Sequence, residues 1–283
     1  MSDRIVIFHG PGCADGFCAA YVAWTVYGDS ATYVEAKYGD APPDVTDRDV
    51  LIVDFSYSRA VLLEMAAKAK SIRVLDHHAS AQRDLEGLDF CTFDMNESGA
   101  TLAWMALRPN DPMPLICQYV RDRDLWRWEL ENSKAINAWL GIAKRDFGYW
   151  AETSKMLALR TEAVASLGVA VLAHIDAYVE STAKNARAVR FCGYDVPFVN
   201  APGMMASELI GRLADAAAFA VGFFQRADGK WQYSLRSRGD FDVSTIAEQF
   251  GGGGHRQAAG FESAASPNEL IANTCATEVP HGE

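Results

Sequence analysis

Residues 50–78 read VLIVDFSYSRAVLLEMAAKAKSIRVLDHH. Two apolar, β-branched runs, 50–53 and 72–75 (apart from Arg73), flank a stretch with helical spacing. Such runs suit strands of a parallel sheet buried on both faces. The stretch between them opens on Ser58, a residue type that caps helices, and its apolar positions 61, 62, 65, 66 and 69 fall on one helical face. Asp54 follows the first run and Asp76-His77-His78 the second. In an open parallel sheet, ligands bind outside the carboxyl ends of the strands. These polar residues are therefore aimed at one crevice.

The pattern extends outward. Residues 4–8 (RIVIF) form a third run, followed by His9, and 15–27 read as a helix stopped by Gly28. Strand–helix alternation predicts an open α/β domain. Residues 96–107 read as a helix and 111–114 as a loop. From 126 to about 184 the pattern is helical and Ala-rich, and 156–179 reads as one long helix weakly interrupted by Gly168. Strands are predicted at 189–200, 218–225 and 230–236, with DGK (228–230) as a hairpin turn. Gly251–Gly254 is the low-complexity stretch, and the tail from Ala272 onward is expected to be poorly structured. The predicted fold class is α/β: a parallel-sheet domain over 1–130, a helical connector over 131–185, and a smaller α/β domain with a mixed sheet over 186–283.

Lys plus Arg number 26 and Asp plus Glu 37, a net charge of −11. That balance argues against coating the phosphates of long DNA or RNA, which needs a basic face. It leaves room for a small anionic substrate at a metal site. With 49% hydrophobic and 22% charged residues the chain reads as globular. No apolar run approaches the ~20 residues that span a bilayer, and the N-terminus lacks a signal-peptide pattern, so no membrane is expected as a partner. Six scattered cysteines without a CxxC pair predict free thiols in a cytoplasmic, reducing setting.

His9, Asp15, Asp54, Asp76, His77 and His78 combine carboxylate with imidazole, a donor set for Mn²⁺, Mg²⁺, Zn²⁺ or Fe²⁺. Two metals about 3.5–4 Å apart would need a bridging carboxylate and could activate water beside a phosphoryl group. One Asp closing one strand is ordinarily a turn residue or cap. Three strand ends all carrying Asp or His point to metal chemistry instead.

HGPGCADG (9–16), VDFS (53–56), LDHH (75–78) and RDRD (121–124) resemble the four ordered motifs of the DHH phosphoesterase superfamily. That superfamily includes RecJ-type exonucleases, family II pyrophosphatases, nanoRNA-degrading oligoribonucleases and cyclic-dinucleotide phosphodiesterases. Residues 235–261 resemble its associated C-terminal domain, with a GGGH-type loop. The resemblance implies that His9 binds a first metal, that Asp15 and His77 bind a second, and that Asp54 bridges both. It implies that Asp76 orients His77 as an outer support and that His78 faces the substrate phosphate. Asp122 or Asp124 would complete the second metal's shell, with Asp122 preferred, and the other would pair with Arg121, Arg123 or Arg127. Up to two divalent ions are implied, Mn²⁺ first, with Mg²⁺, Zn²⁺ or Fe²⁺ as alternatives. Cys13 departs from the pattern, which carries an aspartate there. Its thiolate would favour softer ions, and a weakly ligating or non-ligating thiol is the preferred expectation.

Four glycines can take φ > 0 and expose amides that cradle phosphate. His255 follows them, and Arg236 and Arg238 lie near a predicted strand end. With the resemblance, Arg236, Arg238, Gly252, Gly253, Gly254 and His255 are expected to bind substrate. His78, Asp76, Arg236 and His255 are expected to assist catalysis, in a domain acting as a lid on a helical connector. Trp126 and Trp128 could stack a base, against the commoner reading of core residues in an apolar helix. The implied function is a metal-dependent phosphodiesterase acting on short oligonucleotides or dinucleotides. The alternatives are a phosphomonoesterase or pyrophosphatase-like enzyme, or a catalytically impaired nucleotide-binding protein. A short nucleotide is the expected partner, long duplexes are not, and a homodimer is possible.

Overall fold

β1 (Arg4–His9) is buried on both faces because its neighbours alternate between two cores. Val6 and Phe8 join one apolar cluster, Ile5 and Ile7 the other. β3 (Asp49–Val53) and β4 (Ser71–Asp76) repeat the division, with Leu51, Val53 and Leu75 on the first side and Val50, Ile52 and Val74 on the second. Each such side chain contributes about 1.5–3 kcal/mol when fully buried. This explains the unbroken apolar runs of the central strands.

The computed structural model describes residues 3–10 and 12–275. The chain forms two units, residues 1–173 and 174–283. In the first, β2 (Ala31–Ala36) and β5 (Cys91–Phe93) are the edges of a five-stranded parallel sheet in the order β2-β1-β3-β4-β5. The sequence reading missed both edge strands, which lack a buried apolar run. α1 (Ala14–Tyr27), α4 (Gly99–Leu107), α5 (Leu115–Asp124), α6 (Ser133–Ile142) and α7 (Phe147–Ala183) supply residues to one core. α2 (Arg59–Lys68) and α3 (Ala79–Asp84) flank the other core, to which Leu62, Met65 and Leu85 contribute. Ser58 occupies the α2 cap position without a side-chain bond. The Asp84 carboxylate instead accepts from Arg59 N at 2.9 Å.

α6 and the first part of α7 pack into the first unit, burying Ile136, Leu140, Trp150, Leu157 and Val164. α7 breaks its helical geometry at Arg160, not at Gly168. Gly168 is where the helix touches a neighbour: a Cβ there would lie 1.8 Å from the Ala135 carbonyl oxygen. By length and composition α7 is long and apolar enough to cross a membrane, with a window of mean hydropathy 1.6 that is 22% buried. The expectation that no segment approaches that length and apolarity therefore does not hold for α7. Trp126 and Trp128 lie outside any helix, at φ 56° and 57°.

In the second unit, the predicted strand over 189–200 is a hairpin of β6 (Arg187–Phe191) and β7 (Tyr194–Asn200). Cys192 and Gly193 turn it, both at positive φ. α8 (Ala206–Ala214) crosses over to β8 (Phe219–Gln225), parallel to β7, and β9 (Trp231–Ser237) returns antiparallel. α9 (Ser244–Glu248), β10 (Gly253–His255), β11 (Ala258–Ser263) and α10 (Pro267–Cys275) complete the unit. Its strands form a mixed sheet in the order β10-β11-β9-β8-β7-β6. Residues 272–275 of the predicted unstructured tail belong to α10, and 276–283 lie outside the described residues.

Candidate metal centre

The strand order reverses between β1 and β3, and the polar residues collect at that switch point. His9 closes β1, Asp54 follows β3, and Asp76, His77 and His78 end β4. Asp15 comes from the first turn of α1 and Asp124 from the last residue of α5. Asp54 sits at φ 55°, and its N–H donates to Leu75 O at 2.9 Å. A non-glycine residue in that region is uncommon and clusters at functional sites.

The two oxygens of Asp54 serve two different donor groups. Oδ1 lies 2.9 Å from His77 Nε2, which is also 3.5 Å from Asp15 Oδ2 and 3.5 Å from Asp124 Oδ2. Oδ2 lies 3.5 Å from His9 Nδ1 and accepts from Cys13 Sγ at 3.3 Å. Asp15, His77 and Asp124 form one group of close donor atoms, and His9, Cys13 and Asp54 another.

Three carboxylates converge on one buried imidazole. Burial and the charges of Asp54 and Asp124 push the Asp15 carboxyl well above the usual range. Burial also raises Asp124. Asp54 is held well below the usual range despite its burial, because His77 and His9 hydrogen-bond to it. Burial opposes protonation of both histidines. The Asp124 and Asp54 charges overcome it at His77, and Cys13 and Asp54 overcome it at His9, so both titrate well above 6.5. The metal-free cluster therefore draws protons to offset its negative charge. A divalent cation would supply the same offset. Asp124 Oδ2 is buried and makes no hydrogen bond, an acceptor suited to a cation. The residues fit a metal centre in both charge and donor chemistry.

Asp76 departs from its expected role. Its Oδ1 meets His78 Nδ1 at 2.6 Å, and its Oδ2 accepts from Ser56 Oγ at 2.5 Å. It reaches His77 through that residue's backbone N–H, at 2.7 Å. The ring it orients is His78. The preference for Asp122 over Asp124 also reverses. Asp122 is buried, and its carboxylate accepts from Glu129 N and Leu130 N at 2.9 and 3.3 Å. It shapes the loop after α5, while Asp124 joins the cluster. Arg121 pairs with Glu97 and Arg127 donates to Asn96 O, so Asp122's carboxylate partners are amides.

Residues 196–274 match the DHHA1 domain family. The chain is 28% identical over 288 residues to the uncharacterized protein R106 of Acanthamoeba polyphaga mimivirus, covering 90% of this chain and 66% of that protein. RecJ of Thermus thermophilus, solved in complex with Mn²⁺, matches at 17% identity and a TM-score of 0.54 over 96% of this chain and 51% of that one. An exopolyphosphatase-related protein from Bacteroides fragilis matches at 12% identity and a TM-score of 0.54, over 96% and 90%. The DHHA1 match covers the region carrying the GGGH-type stretch, and the five-stranded unit carries the DHH triplet at the end of β4. The chain therefore shares the fold of these proteins, and its C-terminal part matches the DHHA1 domain. The chain spans about two thirds of the mimivirus relative and half of the RecJ chain.

Three residues that position this centre were given no role from the sequence. Gly99 opens α4, and Gly99 N and Ala100 N donate to Asp15 Oδ2 and Oδ1 at 2.6 and 2.9 Å. The carboxylate thus also meets the positive end of the helix. A Cβ on Gly99 would lie 2.3 Å from the Asp54 Cβ. The signal was local: Ser98 before a helical run, whose side chain and Thr101 form a capping box. Gly16, inside the quoted 9–16 motif, packs on His9, where a Cβ would lie 2.1 Å from the carbonyl oxygen. Arg145 reaches back to Gly12 O at 3.4 Å and lies over the Trp150 ring. Nothing local announces that contact.

In the DHHA1 unit the glycine stretch is mostly not a phosphate loop. Gly251 N and Gly252 N donate to carbonyls of Glu248 and Ala247, closing α9. Gly253–His255 is an edge strand paired with β11. Glycine is needed because the backbones approach closely: a Cβ on Gly252 would lie 2.1 Å from Gly260 O. His255 pairs with Ala258, which pairs with Arg236, so His255 and Arg236 share one cross-strand row. Arg236 Nη2 donates to Ser207 Oγ at 2.9 Å, a partner not foreseen. Arg238 Nε donates to Asp215 Oδ1 at 3.2 Å.

Proposed function

We propose that this chain is a metal-dependent phosphohydrolase that cleaves phosphodiester bonds in dinucleotides or oligonucleotides of a few residues. The division of Asp54's oxygens between two donor groups carries the reading, because it is what a carboxylate shared by two cations requires. Asp15, Asp54, His77 and Asp124 would hold one divalent ion, a carboxylate-rich set suited to Mn²⁺ or Mg²⁺. His9 and Asp54 would hold a second. Such ions supply Lewis acidity toward phosphoryl oxygens and lower the pKa of water.

The protein's own groups do the rest. Asp76, itself held by Ser56, accepts a proton-bearing contact from His78 Nδ1 and so fixes the ring and its tautomer. Nε2 is then the nitrogen we assign to the phosphate, to which it donates only as part of an imidazolium. The α4 amides hold Asp15 in place, so that carboxylate need not reorganise as charge develops. Arg236 and His255, in one row of the C-terminal sheet, are the groups we assign to recognising the substrate's phosphate.

The test is hydrolysis of short RNA, linear dinucleotides and pyrophosphate with added Mn²⁺. Metal-dependent cleavage of a dinucleotide, lost in Asp54→Ala and His77→Ala, supports the reading. No metal-dependent release from any nucleotide overturns it, as does full activity in either variant. Cleavage of pyrophosphate alone, tolerant of His255→Ala, would move the substrate to a small non-nucleotide phosphate.

A further inference from the structure

The cluster is chemically lopsided. One group of donors is carboxylate and imidazole: Asp15, Asp124 and Asp54 Oδ1 around His77 Nε2. The other places sulfur beside imidazole and carboxylate: Cys13 Sγ and His9 Nδ1 around Asp54 Oδ2. We propose that Cys13 is a metal ligand, and that the position it shares with His9 and Asp54 selects an ion of the zinc, iron(II) or cobalt(II) kind over Mn²⁺ and Mg²⁺. This rests on the reading that the cluster binds metal and specifies what its two positions take.

The sulfur donor carries the argument, and the spacing fits a cation shared by the three groups. Sulfur lies 3.3 Å and the imidazole nitrogen 3.5 Å from the shared oxygen. All three donor atoms lie within 4.8 Å of one another. Tetrahedral zinc, with bonds of about 2.3 Å to sulfur and 2.0–2.2 Å to nitrogen or oxygen, separates its ligands by roughly 3.4–3.6 Å.

The donors are also pre-positioned. Cys13 caps α1, and Gly16 N donates to its sulfur at 3.4 Å, which holds the sulfur in place beside Asp54. The His9 ring stacks on Phe55 and meets Tyr38 and His78 edge-on, which restricts its rotation. Sulfur is the soft donor that distinguishes this position from its neighbour. On binding, the S–H bond breaks, a sulfur–metal bond forms, and the proton leaves to buffer. No oxidation state changes.

The experiment titrates the metal-free full chain with Co²⁺ and reads its absorption spectrum. The expected result is a near-ultraviolet sulfur-to-cobalt charge-transfer band that is lost in Cys13→Ser, while the visible cobalt bands of the neighbouring position remain. In Cys13→Asp, competition between Zn²⁺ and Mn²⁺ should shift toward Mn²⁺ by at least about tenfold, the scale of ligand-environment changes. A measurement on the unmutated protein covers a variant that does not fold: Zn²⁺ should protect Cys13 from alkylation, read by peptide mass, and Mn²⁺ should not. Bound Co²⁺ without the sulfur band overturns the inference, as does a band that persists in Cys13→Ser or alkylation unaffected by Zn²⁺. A sulfur band in a protein that cleaves no nucleotide would remove the proposed function and leave this inference standing. Metal-dependent cleavage without the band would do the reverse.

Discussion

Replacing Gly99 by alanine adds one carbon at the most crowded point of the centre. That carbon would lie 2.3 Å from the Asp54 Cβ and 2.8 Å from its Cγ and Oδ1. Carbon atoms in contact sit about 3.5–4.0 Å apart, so α4 and Asp54 must separate by roughly 1.2–1.7 Å. Neither side yields easily. Asp54 is 1% exposed and tied by its N–H to Leu75 O. The start of α4 is held by two amides on Asp15 and by the Ser98–Thr101 box. Overpacking of this kind costs about 1–3 kcal/mol, partly offset by the roughly 1 kcal/mol that alanine gains over glycine in a helix. The expected result is a metal-free protein less stable by up to about 2 kcal/mol, with its melting temperature lower by up to about 8 °C. Asp54 serves both donor groups, so Mn²⁺ affinity should fall about 10–100-fold. Thermal unfolding and calorimetric Mn²⁺ titration read the two effects. Gly141→Ala is the control, because that helix glycine has open space where its Cβ would go. A Gly99→Ala protein that melts like wild type and binds Mn²⁺ unchanged would refute the steric argument.

Two aspartates of α5 should separate cleanly. Asp122→Ala leaves two loop amides without their acceptor and should cost about 1–3 kcal/mol by denaturant unfolding with Mn²⁺ affinity retained. Asp124→Ala removes one of three crowded carboxylates, so it should hold or raise metal-free stability while weakening Mn²⁺ binding by calorimetry. The pH dependence follows from the raised values of His9 and His77. A histidine raised in the folded state stabilises fully below its unfolded value near 6.5 and loses that contribution as pH climbs through the folded value. Metal-free stability should therefore fall from neutral toward alkaline pH. Mn²⁺ should flatten the fall and release on the order of one proton per ion at pH 7, seen as a buffer-dependent binding enthalpy. Gly168→Ala should destabilise the first unit by about 1–3 kcal/mol in thermal unfolding, because the new carbon meets the Ala135 carbonyl of α6.

The central strands and the residues at their ends were legible because both signals are local. Residues 4–8, 50–53 and 72–75 are apolar almost throughout, and His9, Asp54 and Asp76–His78 are the next covalent links. A parallel sheet carries such residues to one edge whatever the loops do. Edge strands β2 and β5 were not legible, since one-sided or short burial leaves no apolar run. The glycines at 251–254 were visible, but their main service is to close α9 and pair a strand, not to cradle an anion.

What the amino-acid order determined by itself was the α/β class, the motif order and the donor types brought to one crevice. Which donors meet was decided by packing. Asp122 and Asp124 are two residues apart in a helix, about 200° around its axis, so only the seat of α5 against α1, α4 and α6 can aim one at His77 and the other at the following loop. Gly99 meets Asp54, and Arg145 meets Gly12, across separations that leave no periodic trace in the sequence. Local sequence sets which faces are apolar and where chains turn. The angstrom-scale approach of one backbone to a distant side chain exists only once the elements have packed.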